Sequence, residues 1–454
     1  MARYKNDFDL IVIGSGAAGG AGALMAAGAG KKVALVEANK WGGSVLNSSG
    51  VPMDALFNAS HLFAQSINGA KFGLSSLNLR YNYPTINNWK NVAMRRAGAH
   101  SKKSFDDAGI TTIKGRAHFV SPYQISVGDQ QFGAHKFLIA TGAQPLDTGI
   151  KGLNDVDFMT PDSVLELIRP PKTLVIVGAG STGCEIAQYF AQLGTKVLIA
   201  EVAGRLLPGE DEEVGQVMDE VFNKLGIKVL TQSRVIALEK DSVSKKVIFL
   251  RGGQEKSVRI DDIMLCTGST PATDLGLENA GVVYGNKGIK INKNMQTSMK
   301  HIFAAGDCVG GGSSTEKAVY EAATAISNIV HRSKITTEYD GISRITRTYP
   351  EVASVGATED DCIRRDRKIR KVVVPLSVVQ ASNTSDFREG FVKILTDRNH
   401  KIIGATIVAP NAGLMIAELA LGIRLGLSVV DIAETPHIAS DWGELVRIAA
   451  RRLS

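Results

Sequence analysis

The sequence predicts an α/β protein built on two copies of one βαβ unit. Three observations carry this expectation. The chain has 454 residues, more than a single hydrophobic core usually organises. Two glycine-rich segments each follow a short, continuously apolar run, and each is followed by a second apolar run that ends in glutamate. Gly is abundant at 47 residues while aromatic residues make up only 6%, a balance that suits tight turns and close backbone packing better than a β-sandwich.

In the first unit, residues 8–13 (FDLIVI) read as a buried parallel strand. Gly14-Ser15-Gly16-Ala17-Ala18-Gly19 comes next, then an Ala-rich helix, then a strand from Lys32 to Val36 that ends in Glu37. Each glycine has a mechanical reason: Gly14 permits the tight turn, Gly16 lets the backbone approach a pyrophosphate, and Gly19 lets the helix pack close to the strand. The pyrophosphate is expected on the helix N-terminus, where free N–H groups and the positive end of the dipole favour an anion. Glu37 is placed to accept both hydroxyls of an adenosine ribose.

The second unit repeats the pattern with a strand from Thr173 to Val177, then Gly178-Ala179-Gly180-Ser181-Thr182-Gly183, a helix, a strand from Lys196 to Ala200, and Glu201. Glu201 stands as far from Gly178 as Glu37 does from Gly14. One glycine fingerprint is weak evidence, but two copies in the same strand context make a chance match improbable. Two dinucleotides on one chain imply an electron donor and an acceptor, a flavin and a nicotinamide, whose chemistry the protein orients. At the second unit Glu201 repels a 2′-phosphate, which favours NAD(H) over NADP(H), although Arg205 is near in sequence.

The remaining composition excludes several classes. A net charge of +7 permits acidic partners, but the densest basic run (Arg364, Arg365, Arg367, Lys368, Arg370, Lys371) contains Asp366 and no aromatics. It reads as a solvated helix end before a strand, not a nucleic-acid surface. Cys184, Cys266, Cys308 and Cys362 lie far apart, without metal-type or disulfide-framework spacing. A reducing cytoplasm is therefore expected. The apolar stretch near the N-terminus contains the first glycine fingerprint, so it reads as strand and helix instead of a secretory leader, and no run is long enough for a membrane span.

With these motifs in place, the chain resembles the pyridine nucleotide-disulfide oxidoreductases over nearly its whole length. Ala140-Thr141-Gly142 and Thr267-Gly268 are similar to the segments where the family's chain leaves each nucleotide domain, and Ala305-Gly306-Asp307 to the motif whose aspartate binds the flavin ribityl chain. Lys317-Ala318 with Glu321 resembles the helix that follows. Tyr349-Pro350-Glu351-Val352-Ala353-Ser354-Val355-Gly356 and residues 404–411 (GATIVAPN) resemble parts of the C-terminal dimerisation domain. The resemblance implies an FAD-binding domain in 1–150 and 276–338, an NAD-binding domain in 151–275, and an α+β interface domain in 339–454 that forms a homodimer. It also assigns cofactor contacts to Gly43, Ser44 and Ala117, and places Ser181 where many relatives have an aromatic gate over the nicotinamide.

The departures from the family lie at its reaction centre. Where relatives carry two cysteines that cycle between disulfide and dithiol, this chain has Gly42-Gly43-Ser44-Val45-Leu46-Asn47-Ser48-Ser49-Gly50-Val51-Pro52-Met53-Asp54. Val45 and Gly50 replace the sulfurs, so no mixed disulfide can form there. The family's catalytic histidine aligns with Ala439 once Glu444 is matched to the glutamate that orients it. His437, two residues off, is a catalytic candidate if it points into the same pocket and otherwise an ordinary interface histidine; Glu444 either keeps its catalytic place or serves packing or a helix terminus. Asp54 occupies the place of a lysine that pairs with the glutamate corresponding to Glu185. That leaves two carboxylates, one of which is expected to have a raised pKa, so that Asp54 or Glu185 donates a proton near the flavin; in the other reading Asp54 turns to solvent or caps a backbone group.

Without a dithiol relay, electrons that reach FAD from NADH are expected to leave directly to a quinone, oxygen or another small acceptor. Disulfide reductase activity is expected to be absent. A hydride transfer from NADH to NADP⁺ is a variant that Glu201 disfavours, and a redox-silent binding scaffold is the alternative from another class.

Overall fold

A computed structural model describes residues 7–75, 78–240, 244–312, 314–331 and 334–454. The chain falls into two compact units, the first formed by residues 1–56, 85–147 and 268–338, the second by 57–84, 148–267 and 339–454.

The first unit is organised by β1 (Phe8–Ile13), whose apolar run places it centrally between β2 (Val33–Glu37) and β6 (Gln130–Ile139), both parallel to it. Ile11 stands opposite Ala34 on one side and Phe137 on the other. β3 (Thr111–Lys114) extends the sheet beyond β2, while β4 (Ala117–Ser121) and β5 (Gln124–Val127) continue it as an antiparallel hairpin beyond β6. α1 (Ala17–Gly28) packs against one face, where Gly22 approaches Leu138 and Ile326. The opposite face is filled by Phe119, Ile125, Phe137 and their neighbours. The first unit also holds α2 (Gly43–Asn47), the opening of α3 (Val51–Asn68), whose residues 57–68 belong to the second unit, and α4 (Tyr83–Asp107) from residue 85 onward.

β7 (Ala143–Pro145) leads out of the first unit. The second begins with β8 (Thr173–Val177), α5 (Ser181–Gln192) and β9 (Lys196–Ala200), followed by α6 (Glu212–Lys224) and β10 (Lys228–Leu230). β11 (Ser233–Lys240), β12 (Lys245–Arg251) and β13 (Gln254–Ile260) form an antiparallel insert, and β14 (Asp262–Leu265) returns parallel to β8. Both predicted strands at 173–177 and 196–200 are found at those residues.

β15 (Ser269–Pro271) pairs with β7, so the chain re-enters the first unit at Gly268 and not at residue 276. The short pair β16 (Tyr284–Gly285) and β17 (Gly288–Ile289) precedes β18 (Ile302–Ala304), which joins β6 in parallel, and α7 (Thr315–Val330), which packs against α1.

The C-terminal part of the second unit is an antiparallel sheet in the order β19 (Ser343–Thr346), β20 (Glu351–Gly356), β23 (Ile402–Ala409), β22 (Phe391–Thr396), β21 (Arg370–Pro375). α8 (Glu359–Arg364) and α9 (Gln380–Ser385) connect strands. α10 (Ala412–Leu425), α11 (Val429–Glu434) and α12 (Glu444–Leu453) bury Leu419, Ile432, Leu445 and Ala449 in one core with Val374, Ile394 and Ile407 of the sheet. The basic run occupies the end of α8, the connection after it and the start of β21, and all six cations are exposed, as the sequence implied.

Candidate dinucleotide-binding sites

In the first unit, Gly14 takes φ +98°, a conformation only glycine adopts cheaply, and a Cβ there would overlap the Ala140 carbonyl. A Cβ at Gly19 would overlap the Gly14 carbonyl oxygen. Gly16 differs: the nearest atom to an added Cβ is the Gly43 Cα at 3.9 Å, an ordinary contact and not an overlap. Gly16 also caps α1 without any side-chain acceptor, which leaves first-turn N–H groups available to an anion.

Glu37 holds this loop in shape. Its Oε2 accepts the Ser15 N–H at 2.9 Å and the Ser15 hydroxyl at 2.6 Å, and its Oε1 accepts the Asn39 N–H at 2.7 Å. The Ser15 hydroxyl oxygen in turn accepts the Gly42 N–H at 2.9 Å. Gly43 follows with φ +58°, its position for a Cβ lying 2.6 Å from the Gly16 Cα, so the Gly42-Gly43 segment lies directly on the glycine loop. Ser44 is the second residue of α2.

The second unit repeats this arrangement. Gly178 takes φ +103° against the Cys266 carbonyl, a Cβ at Gly183 would overlap the Gly178 carbonyl, and nothing lies within 4 Å of one at Gly180. Gly180 caps α5 without a side-chain acceptor. Glu201 accepts the Ala179 N–H at 2.6 Å through Oε2 and the Ala203 N–H at 2.7 Å through Oε1. Two buried carboxylates, two glycines clear of overlap and two uncapped helix ends fit the diphosphate and ribose of two dinucleotides.

The other half of the first site comes from residues far along the chain. Gly306, at φ +82°, sits between the Ala18 and Ala318 side chains, and its N–H donates to the buried Glu321 carboxylate at 2.7 Å. Asp307 opens the short turn that follows. Lys317 bonds the Gly310 and Gly312 carbonyls and lies 3.5 Å from Glu321. The Thr141 hydroxyl donates to the Ala272 carbonyl at 2.7 Å and the Ala272 N–H to the Gly142 carbonyl at 3.0 Å, which ties the two chain crossings together; Gly268, at φ +98°, lies beside them. The Ala117 side chain is in the hydrophobic core, so only its backbone is left to meet a cofactor.

The sequence pattern of the pyridine nucleotide-disulphide oxidoreductases matches residues 8–322, and that of their dimerisation domain matches residues 342–449. The chain belongs to this family. Pyridine nucleotide-disulphide oxidoreductases are FAD-dependent and use NAD(P)H. A mercuric reductase of Staphylococcus aureus is 31% identical over 450 residues, 98% of this chain and 82% of that protein. A dihydrolipoyl dehydrogenase of Geobacillus stearothermophilus is 31% identical over 459 residues, 99% of this chain and 97% of that protein. Among solved structures, LpdA of Mycobacterium tuberculosis shares the fold with a TM-score of 0.90 over 98% of this chain and 99% of its own, at 24% identity. The flavoprotein disulfide reductase RclA of Escherichia coli does so with 0.87 over 98% of this chain and all of its own, at 21% identity.

Within this pyridine nucleotide-disulphide oxidoreductase, each remaining candidate has a definite place. Val45 lies in α2, and a Cβ at Gly50 would overlap the Val45 carbonyl oxygen. Asp54 stands in the first turn of α3, where the helix dipole favours a carboxylate. Glu185 accepts the Arg347 N–H at 2.7 Å and the Ser181 hydroxyl at 3.3 Å. His437 meets Glu418, not Glu444: its Nε2 lies 3.0 Å from Glu418 Oε2 and its Nδ1 2.9 Å from the Thr435 carbonyl. Glu444, the first residue of α12, accepts the Ser440 N–H at 3.1 Å and bonds Arg447 at 2.9 Å, and these contacts lower its pKa. Arg205 is turned to Asp360 at 2.6 Å and to the Glu210 carbonyl at 3.0 Å.

The four cysteines are unpaired. Burial pushes the Cys308 and Cys266 thiols up to about 12, and the Cys184 thiol is raised by the same cause. Cys308 is the small buried residue its sequence context suggested. Among the described residues no group of His, Cys, Asp or Glu is placed to hold a metal ion, and no helix is long and apolar enough to cross a membrane.

Sequence reasoning missed Ser15 and Glu418. Ser15 had a local signal, a hydroxyl inside the glycine fingerprint. Glu418 had none, because its partner lies beyond the end of its helix.

Proposed function

We propose that this chain is an FAD-dependent NADH oxidoreductase that passes electrons from the flavin directly to a small acceptor, a quinone or oxygen, without a dithiol relay. The observation that carries the reading is the pair of glutamate-held glycine cradles combined with a sulfur-free 42–50 segment lying on the first of them. Bound FAD supplies the two-electron chemistry between NADH and the acceptor.

The chain's own residues bind and orient. Gly16 and Gly180 admit a diphosphate to their helix ends, and Glu37 and Glu201 each retain acceptor capacity for ribose hydroxyls while holding their loops. Asp307 is assigned to the ribityl chain and Gly306, fixed by Glu321, sets its position. The commitment of Arg205 to Asp360 supports NADH over NADPH, since it leaves Glu201 to face the adenosine ribose. Asp54, and separately Glu185, are assigned to hold a proton during turnover; an unchanged pH profile in Asp54→Asn would remove Asp54 from that role. His437 with Glu418 is a second acid/base candidate. Homodimerisation through the C-terminal domain is supported by exposed apolar side chains on α10, among them Leu414, Leu421 and Leu425.

Anaerobic mixing with NADH tests the reading. Bleaching of the flavin band, followed by reoxidation with a quinone or oxygen and none with lipoamide, is expected. A flavin that NADH leaves unreduced would support a binding scaffold instead, and rapid lipoamide turnover would overturn the relay-free mechanism.

A further inference from the structure

The strand β22 carries a buried lysine among three carboxylates, of which Asp211 is buried and Glu213 and Glu359 are partly exposed. Lys393 is 1% exposed. Its Nζ lies 2.8 Å from Glu359, 2.9 Å from Glu213 and 3.5 Å from Asp211, itself 2% exposed. Burial alone lowers a lysine pKa, but here the hydrogen bonds to Glu213 and Glu359 outweigh it and the group is held above its ordinary value. Removing such a charge leaves the buried Asp211 carboxylate without its cation.

Asp211 is held by two further groups of the C-terminal domain besides Lys393. Its Oδ1 accepts the Glu359 N–H at 2.8 Å, and its Oδ2 accepts the Thr406 hydroxyl at 3.1 Å. It also ends the segment that starts at Glu201. That segment grips the second glycine fingerprint twice at one residue: the Ala179 N–H donates to Glu201 at 2.6 Å, and the Ala179 carbonyl accepts the Leu207 N–H at 2.9 Å. Leu207 holds φ +47°, a conformation that a non-glycine residue keeps only when its surroundings enforce it. Two further ties, Arg205 to Asp360 and Arg344 to Glu210 at 3.3 Å, fasten the same segment to the same domain. The shape of the nucleotide loop is thus set from two directions, by β9 and by the lysine cluster.

We infer that Lys393 is a positioning residue for the second dinucleotide site: through Asp211 it holds residues 201–211 in the conformation that grips Ala179 and presents Glu201 to the adenosine ribose. The inference rests on the reading of that site as the NADH site. It predicts that a residue in the C-terminal sheet controls nucleotide affinity without touching the nucleotide.

The test uses the FAD-loaded full chain with NADH as the probe. Lys393→Met keeps the length of the side chain and removes the charge, and Thr406→Val removes only the hydroxyl that bonds Asp211. In Lys393→Met the NADH dissociation constant is expected to rise at least tenfold, and in Thr406→Val about fivefold, the effect of one ordinary hydrogen bond. FAD content and the rate at saturating NADH stay near those of the unsubstituted protein. A role confined to stability lowers the melting temperature and leaves the dissociation constant at 25 °C unchanged; a constant within twofold of the original in either folded variant overturns the inference. If Lys393→Met does not fold, Thr406→Val decides. Failure of the unsubstituted protein to bind NADH overturns the nucleotide reading itself and this inference with it.

Discussion

Glu201 accepts the Ala179 N–H at 2.6 Å, the counterpart of the bond from Ser15 to Glu37 in the first unit. Each carboxylate therefore holds the shape of its glycine loop.

Replacing either glutamate should separate the two sites. Glu201→Gln is expected to raise the NADH dissociation constant by one to two powers of ten, as the loss of a charged hydrogen bond worth about 1.5–3 kcal/mol implies, with FAD content unchanged. Glu37→Gln should instead lower the FAD retained per chain on purification. Absorbance and NADH fluorescence titration read both.

The glycines divide by what surrounds them. Gly19→Ala and Gly183→Ala place a methyl on a carbonyl oxygen and should destabilise the fold by about 1–3 kcal/mol or more. Gly180→Ala meets open space and Gly16→Ala only an ordinary contact with the Gly43 Cα at 3.9 Å; their melting temperatures should stay close to the original while NADH and FAD binding, respectively, weaken. Equal loss of stability in all four would contradict the division.

The thiols should be inert. With Cys308 and Cys266 pushed up to about 12 and Cys184 and Cys362 raised as well, the folded protein at pH 8 should show no fast reaction with a disulfide reagent. All four should react on unfolding. A reactive pair in the folded state would revive a thiol relay.

Acid should act through His61. Burial lowers its pKa below the usual 6.5 despite the bond to Gln192 at 2.9 Å, the Arg347 carbonyl and the nearby Glu351. The neutral ring therefore contributes its full stability above pH 6.5, and this is lost as pH falls through the lowered folded value, because the unfolded chain takes up the proton first. Between pH 8 and 5 the melting temperature should fall less in His61→Gln than in the unsubstituted protein.

A charge on α10 should report the oligomeric state. Leu421→Lys places an ammonium on an apolar face, and sedimentation should show the dimer giving way to monomer, with α10 helical content kept.

Much of the fold was legible because it is local. The runs at 8–13, 173–177 and 196–200 are continuously apolar, and they become strands at those residues. The glycine roles followed from spacing, and Gly14 and Gly178 take the positive φ that the turn requires. What escaped is nonlocal. The bond from Glu201 to Ala179 joins residues whose partnership the fingerprint suggested only toward ribose. The cluster around Lys393 joins it to Glu213, 180 positions away, and no periodicity records it. The assignment of residues 57–84 to the second unit, and of 268–275 to the first, depends on pairings such as β7 with β15, which only the folded chain displays.

The outermost strand of the C-terminal sheet, β21, begins with Arg370 and Lys371 and follows a run of exposed cations. A lateral encounter between two such rims brings like charges together along an open hydrogen-bonding edge, and the repulsion disfavours growth of the sheet from molecule to molecule. Contact between copies is proposed for the exposed leucines of α10 instead, so crowding at low ionic strength should yield discrete particles, and high salt should be the condition under which fibrous aggregation begins.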